Sequence, residues 1–401
     1  MKTKTSSGLI KGKMAIAIIP FHDWRKIQLE GFRTRDAHFI EELSKDEDRI
    51  KLIINRPTTL AEILIKRKLN LIKGEVIYKK SGFRLYRIDE GFYLVDYVSN
   101  NILKQILGGY KWFINQYGSK KYIDFINEVL VELNIENDYC LLNQNIFASN
   151  LSRGLKPKIS VFDAWDNFTK FTVYKKIKKE LETAYHSYAT TCNFWITNSK
   201  DNVDDFSELY RPKSITLIAN GVDVSRFKDP IDEVPDDMKS IPGPIIGFGG
   251  KITQLIDISL LNSTMQKAKH VSFVFVGQIL DKNIFSKIEK YDNFYYLGDK
   301  HYDVYPNYVK NFDACIVPYV VKNEKKSGAN TIKVYEYLAT NKKVIGTNSN
   351  GLEDLKEHVY IVKDTTEFVA DLGDLKNHKK QIDLDFHSWQ TKTNHFLELI
   401  G

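Results

Sequence analysis

Gly328-Ala-Asn-Thr-Ile-Lys-Val-Tyr-Glu-Tyr-Leu-Ala339, followed directly by Thr340-Asn-Lys-Lys-Val-Ile-Gly346, reads as a polar loop, a short helix and a buried strand. The helix places Lys333 and Glu336 in its first turns, beside a loop-lined crevice. Unpaired N–H groups and the positive dipole end of such a helix suit an anionic ligand, phosphate above all. Lys333 adds a formal charge to the same ligand, and Glu336 can accept bonds from hydroxyls. A cation for phosphate beside a carboxylate for sugar hydroxyls matches the chemistry of a nucleotide sugar.

The rest of the chain repeats the same rhythm of short β-branched runs and amphipathic segments. Strands are expected at Met14–Phe21, Ile50–Asn55, Phe83–Ile88, Tyr139–Gln144, Ile159–Phe162, Phe194–Thr197 and Ser214–Ala219. In the second half they fall at Ile245–Phe248, Val271–Val276, Phe294–Leu297, Ala314–Val317, Lys343–Thr347 and Tyr360–Val362. Helical spacing between them, as over Asp36–Ser44, Leu60–Leu69, Tyr122–Leu133 and Lys175–Tyr188, predicts parallel sheets built twice from α/β units. The interruption at Asn220 to Gly243, rich in Pro, Asp and Gly, marks the junction. The expected division is 1–220, a linker at 221–243, a second Rossmann-like unit at 244–385, and a terminal helix at 386–401 that could pack back across the junction. Two such units place a ligand crevice at the carboxyl ends of their strands.

At 401 residues the chain suits two domains. Its three cysteines, Cys140, Cys192 and Cys315, are scattered and form no CxxC pair. That excludes a disulfide framework or zinc ribbon and suits a reducing cytosol. No run of about 18 apolar residues predicts a membrane span, and Met14–Phe21 is short for a signal peptide. Residues 1–229 hold 37 Lys and Arg against 28 Asp and Glu, while the remainder holds 21 against 23. The basic excess is dense around Lys66-Arg67-Lys68, Lys73, Lys79-Lys80, Arg84 and Arg87, with Leu60, Ile63, Leu64, Leu69, Leu71 and Ile72 interleaved. Such a stripe can rest on an anionic bilayer or simply cover its own core. No nucleic-acid-binding signature accompanies it.

Four segments in order carry a family resemblance: Ser214-Ile-Thr-Leu-Ile-Ala-Asn-Gly-Val-Asp223, Ile246-Gly-Phe-Gly-Gly-Lys251, the strand ends Val274-Phe-Val-Gly277 and Phe294-Tyr-Tyr-Leu-Gly298, and Asn330 to Ala339 with Lys343-Val-Ile-Gly346. Together the chain resembles the GT-B glycosyltransferases, close to the bacterial family 4-like group of polysaccharide biosynthesis. The resemblance implies two Rossmann-like domains facing a cleft, with an N-terminal acceptor domain and a C-terminal donor domain. It implies transfer from a nucleotide diphosphate sugar, UDP-linked on general frequency, to a hydroxyl of a glycan or lipid-linked glycan. Many such enzymes carry two glutamates seven residues apart, but here the first position is Gly328. Glu336 inherits the ribose role and Lys333 the phosphate role.

The implied donor site comprises Gly249, Gly250 and Lys251 at a pyrophosphate, Gly277, Gly298 to His301 near the base, Tyr319, and Asn330, Thr331 and Ile332 at the helix start. A general base for the acceptor hydroxyl is expected first at Asp163, then Asp166, then Asp23 or His22, all in loops after strands. Arg33 and Arg35 are expected to hold an acceptor phosphate. No metal or other cofactor is expected, because helix dipole and lysines can neutralise the diphosphate. Two rivals share the fold: a UDP-sugar epimerase, and a catalytically silent subunit that supports a partner enzyme.

Overall fold

The computed structural model describes residues 13–65, 72–228, 233–321, 330–349 and 351–401. Two sheets dominate it, matching the expected mixed α/β architecture. The first runs Ile215–Leu217, Phe194–Thr197, Ile159–Asp163, Tyr139–Asn143, Ala15–Ile19, Lys51–Ile54, Phe92–Ser99, Phe83–Asp89 and Glu75–Lys80, with Thr58–Thr59 also on Phe92–Ser99. The second runs Phe294–Tyr296, Ser272–Val276, Ile245–Gly249, Ala314–Val317, Lys343–Thr347 and Tyr360–Val362. Every pairing of the second sheet is parallel. Its central strands are buried along their length and read as continuous apolar runs, as a sheet covered on both faces requires.

In each sheet the strand order reverses at the first strand of its unit. Ala15–Ile19 pairs with Lys51–Ile54 on one side and Tyr139–Asn143 on the other. Ile245–Gly249 lies likewise between Ser272–Val276 and Ala314–Val317. At such a switch point the flanking connections leave to opposite faces and open a crevice beyond the strand end. The loops that follow, Pro20–Asp23 and Gly250–Lys251, therefore occupy the places where a doubly wound sheet binds ligands.

The hairpin departs from expectation. Glu75–Lys80 and Phe92–Ser99 each pair antiparallel with Phe83–Asp89. Lys79, Lys80, Arg84 and Arg87 thus lie along an antiparallel edge ribbon, whose middle strand was expected at Phe83–Ile88. Lys80 pairs with Glu128, and Arg87 with Glu75, which offsets part of the charge. The expected helix Leu60–Leu69 is described only as Leu60–Ile65, and Lys66 to Leu71 lie outside the described residues.

The terminal helix Trp389–Ile400 starts at a Ser388 cap and packs on Arg35–Ser44 of the first unit. Trp389 stacks on His38 with ring centres 4.6 Å apart, and Phe396 meets Phe39 edge-on. The chain thus returns to the unit it began in. Further ties span the two units: Arg226 holds Glu41 with both guanidinium nitrogens, and Tyr302 N–H donates to the Glu30 carbonyl at 3.1 Å. Gly31 (φ +82°) permits that approach, since a Cβ there would come within 2.5 Å of Tyr302 Cβ.

Candidate functional site

One cavity of about 630 Å³ opens between the sheets, within the range of small-molecule and cofactor sites. Both switch-point loops reach it: His22 from the first, Gly249, Gly250 and Lys251 from the second. Asn330, Thr331, Ile332, Lys333 and Glu336 form the facing wall.

The helix Ile332–Ala339 is held in place from its start. Asn330, in a left-handed conformation at φ +81°, donates its side-chain amide to Tyr335 at 2.6 Å. Its own carbonyl and side-chain oxygen accept from Asn220, at 2.6 and 2.8 Å. Thr331 stands at the N-cap but makes no capping bond, and its buried hydroxyl oxygen has no partner among the described residues. An uncapped N-terminus beside an unsatisfied hydroxyl, facing a cavity, leaves donors aimed at a ligand.

Lys333 lies over the Phe248 ring at 4.1 Å and donates to the Tyr319 hydroxyl at 2.8 Å. Gly250 makes room for it: a Cβ on that residue would stand 2.6 Å from Lys333 Nζ. Gly277 serves the same corner, because a Cβ there would strike the Gly250 carbonyl. Lys251 Nζ makes no hydrogen bond or ion pair among the described residues, and burial lowers its pKa, with nearby Arg33 acting the same way. Burial and Lys251 together bring Lys26 down to about 8. The corner gathers Lys26, Arg33 and Lys251 around Glu30 and Asp299. Arg33 pairs with both carboxylates, and the desolvated Lys251 is the cation left without a pair among the described residues, available to an anionic ligand.

Glu336 is buried and accepts from the Tyr302 hydroxyl at 2.7 Å through Oε1. Its Oε2 carries no hydrogen bond among the described residues, so it can take a ligand hydroxyl. Burial raises this carboxyl to about 7, against partial relief from Tyr302 and Lys333. The folded pKa lies above the unfolded one, so the associated stability is present below about pH 4.5 and fades as pH rises through about 7. Glu336→Gln removes this titration. The melting temperature of the variant relative to wild type should therefore climb between pH 5 and pH 8, by the equivalent of ~3 kcal/mol at most. Thermal denaturation across that range checks it; a flat difference would mean that Glu336 stays ionised throughout.

His22, from the first unit, is tied to a buried carboxylate. Its Nδ1 lies 3.0 Å from both Asp36 oxygens, its backbone N–H donates to Asp36 at 2.8 Å, and Thr34 donates to Asp36 at 2.6 Å. Although burial opposes its charge, His22 and Thr34 hold the Asp36 carboxyl well below the carboxylate range. An ionised Asp36 fixes the proton on Nδ1. Burial lowers the His22 pKa in spite of Asp36, so the ring is neutral at neutral pH and Nε2 keeps a lone pair. Nε2 makes no hydrogen bond among the described residues. Asp36 was not foreseen, since fourteen positions separate it from His22.

The other expected bases are placed differently. Asp163 is fully buried, with Arg35 Nε at 2.9 Å and Gln144 at 3.0 Å, and it does not line the cavity. Its carboxylate is committed to a structural ion pair. Asp23 is a buried N-cap that accepts from Arg25 N–H and Asn55. Asp166 does line the cavity, next to Trp165 and Phe168.

The expected phosphate ligands of the acceptor, Arg33 and Arg35, both line the cavity while already holding protein carboxylates, and Arg35 keeps one buried Nη2 without a partner among the described residues. Arg35 spans from Asp163 to Ile218 O and Asn220, linking the first sheet to the junction. Arg33 reaches the other unit and holds Asp299 through both terminal nitrogens, at 2.8 and 3.3 Å. Gly298 and His301 do not line the cavity. The Gly298 carbonyl takes the Gly277 N–H, and His301 turns to Asp303, while Asp299, Lys300 and Tyr302 face inward. Among the described residues no three His, Cys, Asp or Glu side chains gather where an ion could be held. No helix among them is long and apolar enough to cross a membrane.

No family model matches the sequence, and no curated protein matches it. Solved structures do match over both units. The sucrose-phosphate synthase of Thermosynechococcus elongatus is 12% identical, with 97% of this chain and 98% of that one covered at a TM-score of 0.69. An alpha,alpha-trehalose-phosphate synthase (UDP-forming) from Burkholderia xenovorans, in complex with glucose-6-phosphate, gives 10%, 96%, 100% and 0.64. Anabaena HepE in complex with UDP-glucose gives 12%, 96%, 99% and 0.62. The chain has the GT-B glycosyltransferase fold: two parallel-sheet units closing on one cleft.

Proposed function

We propose that the protein is a cytoplasmic, metal-independent glycosyltransferase that moves a sugar from a nucleotide diphosphate donor to a hydroxyl of a glycan or lipid-linked glycan, in bacterial surface-polysaccharide synthesis. The observation that carries this reading is the uncapped N-terminus of Ile332–Ala339, opening on the cleft that Lys333 and Lys251 also line. The leaving diphosphate lies at that N-terminus, where the helix dipole and the two ammonium groups stabilise its growing charge. Glu336 Oε2 takes a ribose hydroxyl. The sugar faces His22, whose Nε2 accepts the proton of the attacking acceptor hydroxyl while Asp36 steadies the imidazolium that forms. Direct attack assisted by such a base inverts the anomeric centre. UDP-glucose in HepE and glucose-6-phosphate in the trehalose-phosphate synthase support a uridine donor and a sugar acceptor for this fold. Likeness to family 4 enzymes rests on the motifs alone.

The test is a thermal-shift titration with UDP-, GDP-, dTDP- and CMP-sugars. One nucleotide class, expected to be UDP, should raise the melting temperature in a saturable way. A protein unmoved by every nucleotide would remove the donor-site reading, and with it the enzyme.

A further inference from the structure

The helix Ile102–Gly108 is amphipathic in the wrong sense for a soluble surface. It has no buried residue, and Leu103, Ile106 and Leu107, spaced along one side of it, are 68, 67 and 88% exposed; past the break at Gly109, Tyr110 opens the next helix and is 36% exposed. Its neighbour Leu60–Ile65 exposes Leu60, Leu64 and Ile65, and the turn Thr172–Ile177 exposes Val173. These segments are contiguous: Gln105 bonds Thr59 and Glu62, and Tyr110 meets Tyr174 edge-on at 4.8 Å. Eight of the nineteen exposed large apolar side chains among the described residues thus fall on one face. Concentration of this kind marks an interaction surface.

Charge selects the partner. Lys104, Lys175 and Lys176 are exposed on the same segments, Lys111 is exposed but paired with Glu180, and Glu62 is the one carboxylate on the segments themselves, turned toward Arg56 and Gln105. Apolar side chains ringed by lysines fit an anionic phospholipid surface. The face also continues into the cleft. From Tyr110 a series of rings leads inward through Tyr174 (4.8 Å), Phe168 (5.5 Å) and Phe21 (5.1 Å) to His22 (5.2 Å). Phe21, Trp165, Phe168, Phe171, Val173 and Tyr174 make that arm of the cavity apolar.

We propose that the face formed by Leu60–Ile65, Ile102–Tyr117 and Thr172–Ile177 docks on an anionic bilayer, and that the ring-lined arm admits a lipid-linked acceptor from it to His22. This rests on the glycosyltransferase reading for the acceptor, but not for the docking. The proposed face keeps Leu60 and Leu64 of the apolar stripe foreseen beside Lys66–Arg87, and takes its cations from Lys104, Lys175 and Lys176 instead.

Flotation with phosphatidylglycerol/phosphatidylcholine vesicles tests it. Wild type should float with the anionic vesicles, and much less with phosphatidylcholine alone. A Leu103→Gln, Ile106→Gln, Leu107→Gln triple variant should bind roughly tenfold more weakly, with an unchanged melting temperature because these side chains are exposed. Lys175→Glu with Lys176→Glu should act the same way and flatten the salt dependence. Failure of wild type to float, or a triple variant that binds as well, would overturn the proposal. So would light scattering that shows a wild-type dimer split by the triple variant, since a second copy would then cover this face. Nucleotide-induced thermal shift on the same samples reads the donor site independently, so loss of one reading is distinguishable from loss of the other.

Discussion

Lys333→Ala should lower kcat/KM by on the order of 10²-fold or more, the cost of removing a preorganised charge from a developing anion. The side chain is fixed before any ligand arrives, by the Phe248 ring beneath it and the Tyr319 hydroxyl beside it. Little ordering is then needed when the diphosphate binds, and its charge is available in the transition state. Lys333→Met keeps the apolar packing on Phe248 and isolates the charge, so it should lose nearly as much activity as alanine. Lys251→Ala should cost less, because Lys251 is one of several mutually repelling cations and the helix terminus remains. Steady-state kinetics paired with nucleotide affinity separates the possibilities. If Lys333→Met retains wild-type activity, Lys333 is a packing residue and the diphosphate lies elsewhere.

How far such roles were legible in the sequence depends on how local their causes are. The helix with Lys333 and Glu336 was readable because loop, helix and buried strand follow one another within twenty residues, and the ligand-facing end is set by the backbone itself. The parallel sheets were readable for the same reason: their strands are short apolar runs bounded by turns. In the ribbon Glu75–Ser99 the middle strand was foreseen at Phe83–Ile88, but its partners Glu75–Lys80 and Phe92–Ser99 were not, because the first is an exposed, Lys-bearing edge strand with little apolar alternation. Asp163 shows a different failure. A carboxylate after a strand looks catalytic until the fold brings Arg35, 128 positions away, onto it. Gln144 and Asn220 complete a network that no spacing announces. Arg33 likewise meets a partner, Asp299, in the other half of the chain. Long-range ion pairs engage three of the expected site residues, Asp163, Arg35 and Arg33, and leave His22, a lining residue of the cleft, with Nε2 unbonded among the described residues.

His22→Ala should therefore reduce kcat by roughly 10²- to 10⁴-fold, the range for a positioned general base, with nucleotide affinity unchanged. The proton inventory makes this specific. Asp36 is ionised at every working pH and holds the proton on Nδ1, so Nε2 is basic whenever the ring is neutral. Burial lowers the His22 pKa, so kcat, read with donor bound and Glu336 engaged, should fall as pH drops through a value below 6.5, while kcat/KM also carries the Glu336 titration at about 7. Asp36→Asn should cost less than His22→Ala, yet distort that profile: without the carboxylate the imidazolium loses its partner, and the acid limb should move lower still. A residue of merely structural importance would depress the rate without displacing the limb. Product stereochemistry adds an independent check, since base-assisted direct attack yields the inverted anomer. Retention of configuration, together with an acid limb that survives in His22→Ala, would assign His22 to sugar contact and move the proton acceptor to another group, with Asp166 the remaining carboxylate among the expected bases that lines the cleft.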